Sequence, residues 1–194
     1  EKILVRMDDE DYFYQCIKSD PEHVNVFGKF RKKNDPVFAA DQRSKYFKYQ
    51  GVGLDVFSLE KSNRFAAHMA KFLYQNLIHP TQYIKNRFWR HFAIKSVQLL
   101  NFGLLIPICR LLGRINHKGQ YRYKLGSGFY QCGFSAEDIL PLRTMEFEGI
   151  EFPVPGNTDA YLTKIYGDWR KLPSEEQIRK TMHYPLYIKE IFGE

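Results

Sequence analysis

Apolar positions alternate with polar ones towards both ends of the chain and recur at helical spacing in the middle. Lys2 to Met7 reads as a buried strand. Asp8, Asp9, Glu10 and Asp11 then predict a cap and an acidic first turn for a helix through Tyr12, Phe13, Cys16 and Ile17. Val24, Val26, Phe27 and Phe30 alternate weakly as far as Lys33, and Asn34 to Tyr49 reads as a polar loop with Asp35-Pro36 as a turn. Gly51 to Leu59 is a short apolar strand with one carboxylate, Asp55, in its middle. From Glu60 to Asn116 the spacing turns helical. Phe65, Met69, Phe72, Leu73 and Leu77 form one face ending at His79-Pro80, and a second run carries Tyr83, Ile84, Phe88, Trp89, Phe92 and Ala93.

Beyond that insertion, Tyr121, Tyr123 and Leu125 alternate with Arg122 and Lys124 as a strand, and Ser135 opens a short helical turn. Phe147, Ile150, Phe152 and Val154 are the apolar residues of a further strand, predicted to bury one face. Pro155-Gly156-Asn157 turns the chain, and Asn157 or Thr158 caps a helix whose apolar face is Tyr161, Leu162 and Ile165. Gly167 stands where a left-handed residue closes such a helix. Ser174 to Gln177 is a capping box that opens the last helix.

These elements predict an α+β fold: one domain over residues 1–194, with a small mixed sheet from the terminal segments and a helical insertion at about 60–117. Hydrophobic residues make up 44% and aromatics 16%, which excludes a disordered chain. The net charge of +7 suits an anionic partner: nucleotide phosphates, a phosphorylated lipid carrier or a membrane surface. No nucleic-acid-binding motif is visible, so nucleic acid is disfavoured. Cys16, Cys109 and Cys132 are far apart and match neither a disulfide framework nor a zinc spacing, which favours a reducing compartment such as the cytoplasm.

Candidate chemistry follows from a few charged positions. A carboxylate inside a strand needs a donor, an ion partner or a metal, which makes Asp55 the leading site residue. The basic cluster of Lys29, Arg31, Lys32 and Lys33 fits either a solvated edge or a strand end facing phosphates. Ser96 to Cys109 carries no charge, yet its fourteen residues are too few to span about 30 Å of hydrocarbon. Basic residues flank it on both sides, so it fits either a core helix pair or an interfacial helix at the inner face of a membrane.

Phe147-Glu148-Gly149, Pro153-Val154-Pro155, Tyr161-Leu162, Tyr166-Gly167-Asp168-Trp169, Pro173 and finally His183 resemble, in order, the C-terminal signature of the LicD/fukutin family. The resemblance implies a nucleotidyltransferase fold. It also implies a transferase moving a phosphorylated alcohol, such as phosphocholine, from a nucleotide diphosphate donor to a glycan or lipid-linked glycan, with Mg²⁺ or Mn²⁺. Gly51 to Phe57 resembles the family's strand whose aspartate is a candidate metal ligand, which places Asp55 in that role. Met7 and Asp11-Tyr12 match the family's pattern near its aspartate run. The aspartate positions themselves fall on Glu1, Lys2 and Leu4, leaving Glu1 as the second candidate ligand. The family's upstream glycine-rich turn and helix have no counterpart, so the chain reads as the C-terminal portion of a longer family domain. Lysine and leucine cannot hold a divalent cation, which leads to an expectation of little or no turnover. The alternative is a non-catalytic member that binds a glycan or a lipid-linked acceptor.

Overall fold

The computed structural model describes residues 9–35, 37–39, 46–127, 132–181 and 186–188. The first element is a strand, not the helix expected from the acidic cluster: β1 spans Tyr12–Gln15. Asp9 is the reason. Its Oδ1 accepts the amides of Asp11 and Tyr12 at 2.9 and 2.7 Å, making a local turn that feeds an aromatic, extended segment.

β1 pairs antiparallel with β2 (Gly28–Lys32), which pairs antiparallel with β4 (Gly53–Val56). β3 (Val37–Ala39) lies in the segment read as a loop and pairs with β9 (Leu186–Ile188). β5 (Leu59–Lys61) pairs with β6 (Tyr121–Tyr123), and β7 (Arg143–Phe147) forms a hairpin with β8 (Ile150–Val154). The chain is therefore mixed α and β, but its described strands form small antiparallel sheets where one mixed sheet was expected.

The helical insertion emerges between the paired strands β5 and β6. Asn63 caps α1 (Arg64–Leu73), accepting the amide of Ala66 at 2.8 Å. A π-helical turn (Tyr74–Ile78) and a 3₁₀ turn (His79–Tyr83) continue it. Asn86 caps α2 (Arg87–Leu100), which runs through a second π turn (Asn101–Leu105) into α3 (Ile106–Arg114). Ala66, Ala67 and Ala70 of α1 pack on Ile106 and Cys109 of α3 with Leu125, while Val24, Tyr74, Ile78 and Ile94 form an adjoining cluster. Small residues let the helices approach closely. A Cβ on Gly113 would lie 2.8 Å from Ser62 Oγ and 3.1 Å from Ala66 Cβ.

α4 (Ala136–Ile139) is opened by a capping box between Ser135 and Asp138. α5 (Thr158–Tyr166) is capped by Asn157, and α6 (Glu175–Thr181) by reciprocal bonds between Ser174 and Gln177. The face of β8 predicted to be buried is open: Ile150 is 59% exposed and Phe152 45%. The alternation is real, but among the described strands only β7 pairs with β8.

Candidate functional site

Antiparallel pairing puts Gln15, Lys29 and Asp55 side by side across β1, β2 and β4, with Phe13, Arg31 and Gly53 one pair further along the same face. Lys29 Nζ lies 2.9 Å from Asp55 Oδ1. That oxygen is shielded from water and takes no well-formed hydrogen bond among the described residues, so the lysine charge offsets its burial.

Beside this pair, Arg31 is turned inward, donating Nε to Gln15 Oε1 at 2.7 Å and Nη1 to the Gly51 carbonyl at 2.8 Å. Gln15 donates in turn to Asp20 Oδ2 at 2.7 Å, and Asp20 accepts the amides of Glu22 and Lys48. His23, 1% exposed, pairs its Nε2 with the Phe27 carbonyl at 2.8 Å and leaves Nδ1 without a partner among the described residues. Burial lowers its pKa to about 4 against the opposing pull of the Phe27 bond and of Asp20, so the imidazole is neutral at pH 7.

Lys29, Arg31 and Lys32 of the basic cluster therefore have different fates. Lys29 holds Asp55, Arg31 ties the strands together from inside, and Lys32 alone of the three is exposed. Asp55 lies in β4, beside the basic strand β2. The strand expected at Lys2 to Met7 and the second candidate ligand, Glu1, lie outside the described residues, as does His183.

A divalent cation needs several oxygen donors converging on it. No group of three metal-ligating side chains occurs among the described residues, and the Asp55 carboxylate already faces an ammonium. The described residues on their own do not fit Mg²⁺ or Mn²⁺.

The opposite face of the sheet borders a cavity of about 290 Å³, lined among others by Tyr14, Asn25, Ser58, Phe102, Arg110 and Lys124. Gly28 forms its floor, where a Cβ would lie 2.1 Å from the Tyr14 hydroxyl. Glu60 fixes one wall, accepting from Arg110 Nε at 3.0 Å and from the Leu125 amide at 2.6 Å. Hydrophobic spacing carries no trace of this cavity, because its walls come from the sheet, the second π turn and the segment after β6.

The C-terminal motif folds as a compact corner. The amides of Gly156 and Asn157 donate to the carbonyls of Ile139 and Asp138, and Lys164 forms an ion pair with Asp138. Burial pushes the Asp138 carboxyl up, but Lys164 and the Ser135 bonds outweigh it and hold it below the usual range. Gly167 closes α5 at φ 72°, ψ −127°, a region open essentially to glycine. Trp169 Nε1 donates to Asp159 Oδ1 at 3.1 Å, and Arg170 pairs with the same oxygen at 2.6 Å while lying over the indole. Tyr166, Asp168 and Trp169 line an open cleft of about 940 Å³ with Leu172 and Gln177.

A run of aromatic contacts connects this corner to the Asp55 strand. Phe27 meets Phe57 at 4.7 Å between centroids, Phe57 meets Tyr123 at 5.2 Å, Tyr123 meets Phe134 at 5.9 Å, and Phe134 stacks on Tyr161 at 4.6 Å. The Tyr123 and Tyr161 hydroxyls lie 3.1 Å apart, and burial raises the pKa of Tyr123, keeping it protonated. Phe57 is two residues beyond Asp55, so this run of contacts reaches the end of the Asp55 strand.

Comparison with protein-family models, curated proteins and solved structures finds no significant match.

Proposed function

We propose that this chain is a cytoplasmic LicD-like transferase with a nucleotidyltransferase-like fold, moving a phosphorylated alcohol such as phosphocholine from a nucleotide diphosphate donor to a glycan. One observation carries the reading: the aromatic run from Phe27 to Tyr161 links the Asp55 strand to the Tyr166–Trp169 corner, the two segments that bear the resemblance. In such a transfer an acceptor hydroxyl oxygen bonds to the phosphorus of the phosphorylated alcohol. The phosphoanhydride bond breaks, the nucleoside monophosphate leaves, and the hydroxyl proton passes to solvent. In the proposal, Lys29 keeps the Asp55 carboxylate oriented, and Lys32 screens donor phosphate charge where β2 ends, on the face of the sheet opposite Asp55.

The Lys29–Asp55 pair also favours a second reading, ligand binding without turnover, because it neutralises the carboxylate the chemistry would need. Release of cytidine monophosphate from a cytidine diphosphate alcohol, with Mg²⁺ or Mn²⁺ and an oligosaccharide acceptor, separates the two. Turnover lost in Asp55→Asn supports the transferase. Donor or glycan binding with no monophosphate released by either protein supports the non-catalytic member, and absence of both binding and turnover removes both readings.

A further inference from the structure

We infer that the outer face of the long helix, α2 through α3, docks on a bilayer with anionic headgroups. Trp89, Phe92, Leu99, Leu104, Ile108 and Leu111 are all exposed, Leu99 at 77% and Leu111 at 65%. At about 100° per residue, the last three would centre roughly 100° away from the first three on an uninterrupted α-helix. The extra residue of the π turn at Asn101–Leu105 takes back about that angle and leaves a single stripe.

The same correction aligns the inner face. Arg90, Ile94, Asn101, Ile106, Cys109 and Gly113 are buried from one end of the helix to the other. Residues Arg87–Arg114 are long and apolar enough to cross a membrane by length and composition, but this continuous inner seam holds them flat against the domain. That is the geometry of an interfacial helix, apolar outside and anchored inside.

Charge selects the occupant. Between Glu60 and Glu137 there is no carboxylate side chain, while the interval holds twelve lysines and arginines. Lys85, Arg87, Lys95, Arg114 and Lys118 are exposed along or beside the stripe. Of the basic residues that flank the apolar run, Arg90 and Arg110 are held by Glu22 and Glu60. A second copy of this face would oppose cation to cation, whereas anionic headgroups complement it. The inference stands apart from the transferase reading and needs no turnover to test.

The test is flotation of the full chain with phosphatidylcholine vesicles, with and without phosphatidylglycerol. In Trp169→Phe, Trp89 becomes the only tryptophan and reports insertion directly. The expected result is flotation with the anionic vesicles only, weakened by salt, with a blue shift of Trp89 emission. Leu104→Glu, at a site 53% exposed and so outside the core, should weaken partitioning by about tenfold or more. No flotation, equal binding to neutral vesicles, or no effect of Leu104→Glu overturns the inference. So does a dimer in sizing that Leu104→Glu converts to a monomer without any lipid binding.

Discussion

Replacing Arg90 with methionine should be among the most damaging single changes to this fold. Its guanidinium is 1% exposed and forks onto Glu22, Nε to Oε2 and Nη2 to Oε1, both at 2.8 Å. Nη1 donates to the carbonyls of Ile84 and Lys85 at 2.9 and 3.2 Å, closing the turn into α2, and the group lies over the Tyr46 ring. Arg90→Met strands a buried carboxylate with His91 as its remaining side-chain partner at 2.7 Å and leaves two carbonyls without that donor. Removing one member of a buried ion pair costs about 3–5 kcal/mol, a large share of the 5–15 kcal/mol typical of a domain. At about 2–4 °C per kcal/mol for this size, Tm should fall by roughly 6–20 °C. Glu22→Leu combined with Arg90→Met removes both charges and should be less damaging than Arg90→Met alone.

The acid dependence adds a sign. Burial raises the Glu22 pKa, but the bonds from Arg90 and His91 outweigh it and hold the carboxyl below its ordinary 4.5. The stabilisation is therefore complete above that value and is lost as pH falls through the lowered folded value, where the unfolded chain has already taken up its proton. Urea melts followed by tryptophan fluorescence should show the gap between wild type and Arg90→Met narrowing as pH falls below 4.5. A loss below about 1 kcal/mol at pH 7, or a double variant less stable than the single one, refutes the reasoning.

His23, folded with a pKa of about 4 against 6.5 when free, makes the protein less stable as pH falls between those values, by up to about 3 kcal/mol. His23→Gln should flatten that slope in pH-dependent urea melts. Gly113→Val should cost about 1–3 kcal/mol in the same assay, because the added carbons meet Ser62 and Ala66 where α3 crosses α1. Gly167→Ala should cost about 1–3 kcal/mol, read as faster proteolysis after α5, since alanine is strained at φ 72°, ψ −127°.

Residues that act through local chemistry were legible in the sequence. Asn157, Ser135, Ser174 and Gly167 cap their helices as their types predict, and the helices of the insertion occur where the apolar spacing places them. Misreadings came where local and tertiary effects compete. The acids before Tyr12 looked like a helix N-terminus, but Asp9 bonds into a turn and the aromatic run pairs with β2. The β8 alternation was read as a buried face, although periodicity shows which residues share a side and not whether anything covers it. Asp55 was found because a carboxylate in an apolar strand is costly, whereas the Gln15–Asp20–Arg31 network was missed because its members come from separate segments. The exposed helix stripe was only half legible: the apolar run was plain, but its alignment depends on a π turn that spacing does not reveal.

The most direct measurement of the functional proposal is a calorimetric titration of the full chain with cytidine diphosphate choline in the presence of Mg²⁺. The account predicts saturable binding that Lys32→Glu weakens by about tenfold, as charge reversal at an exposed phosphate contact should. No heat of binding with this donor, or an affinity untouched by Lys32→Glu, would contradict it.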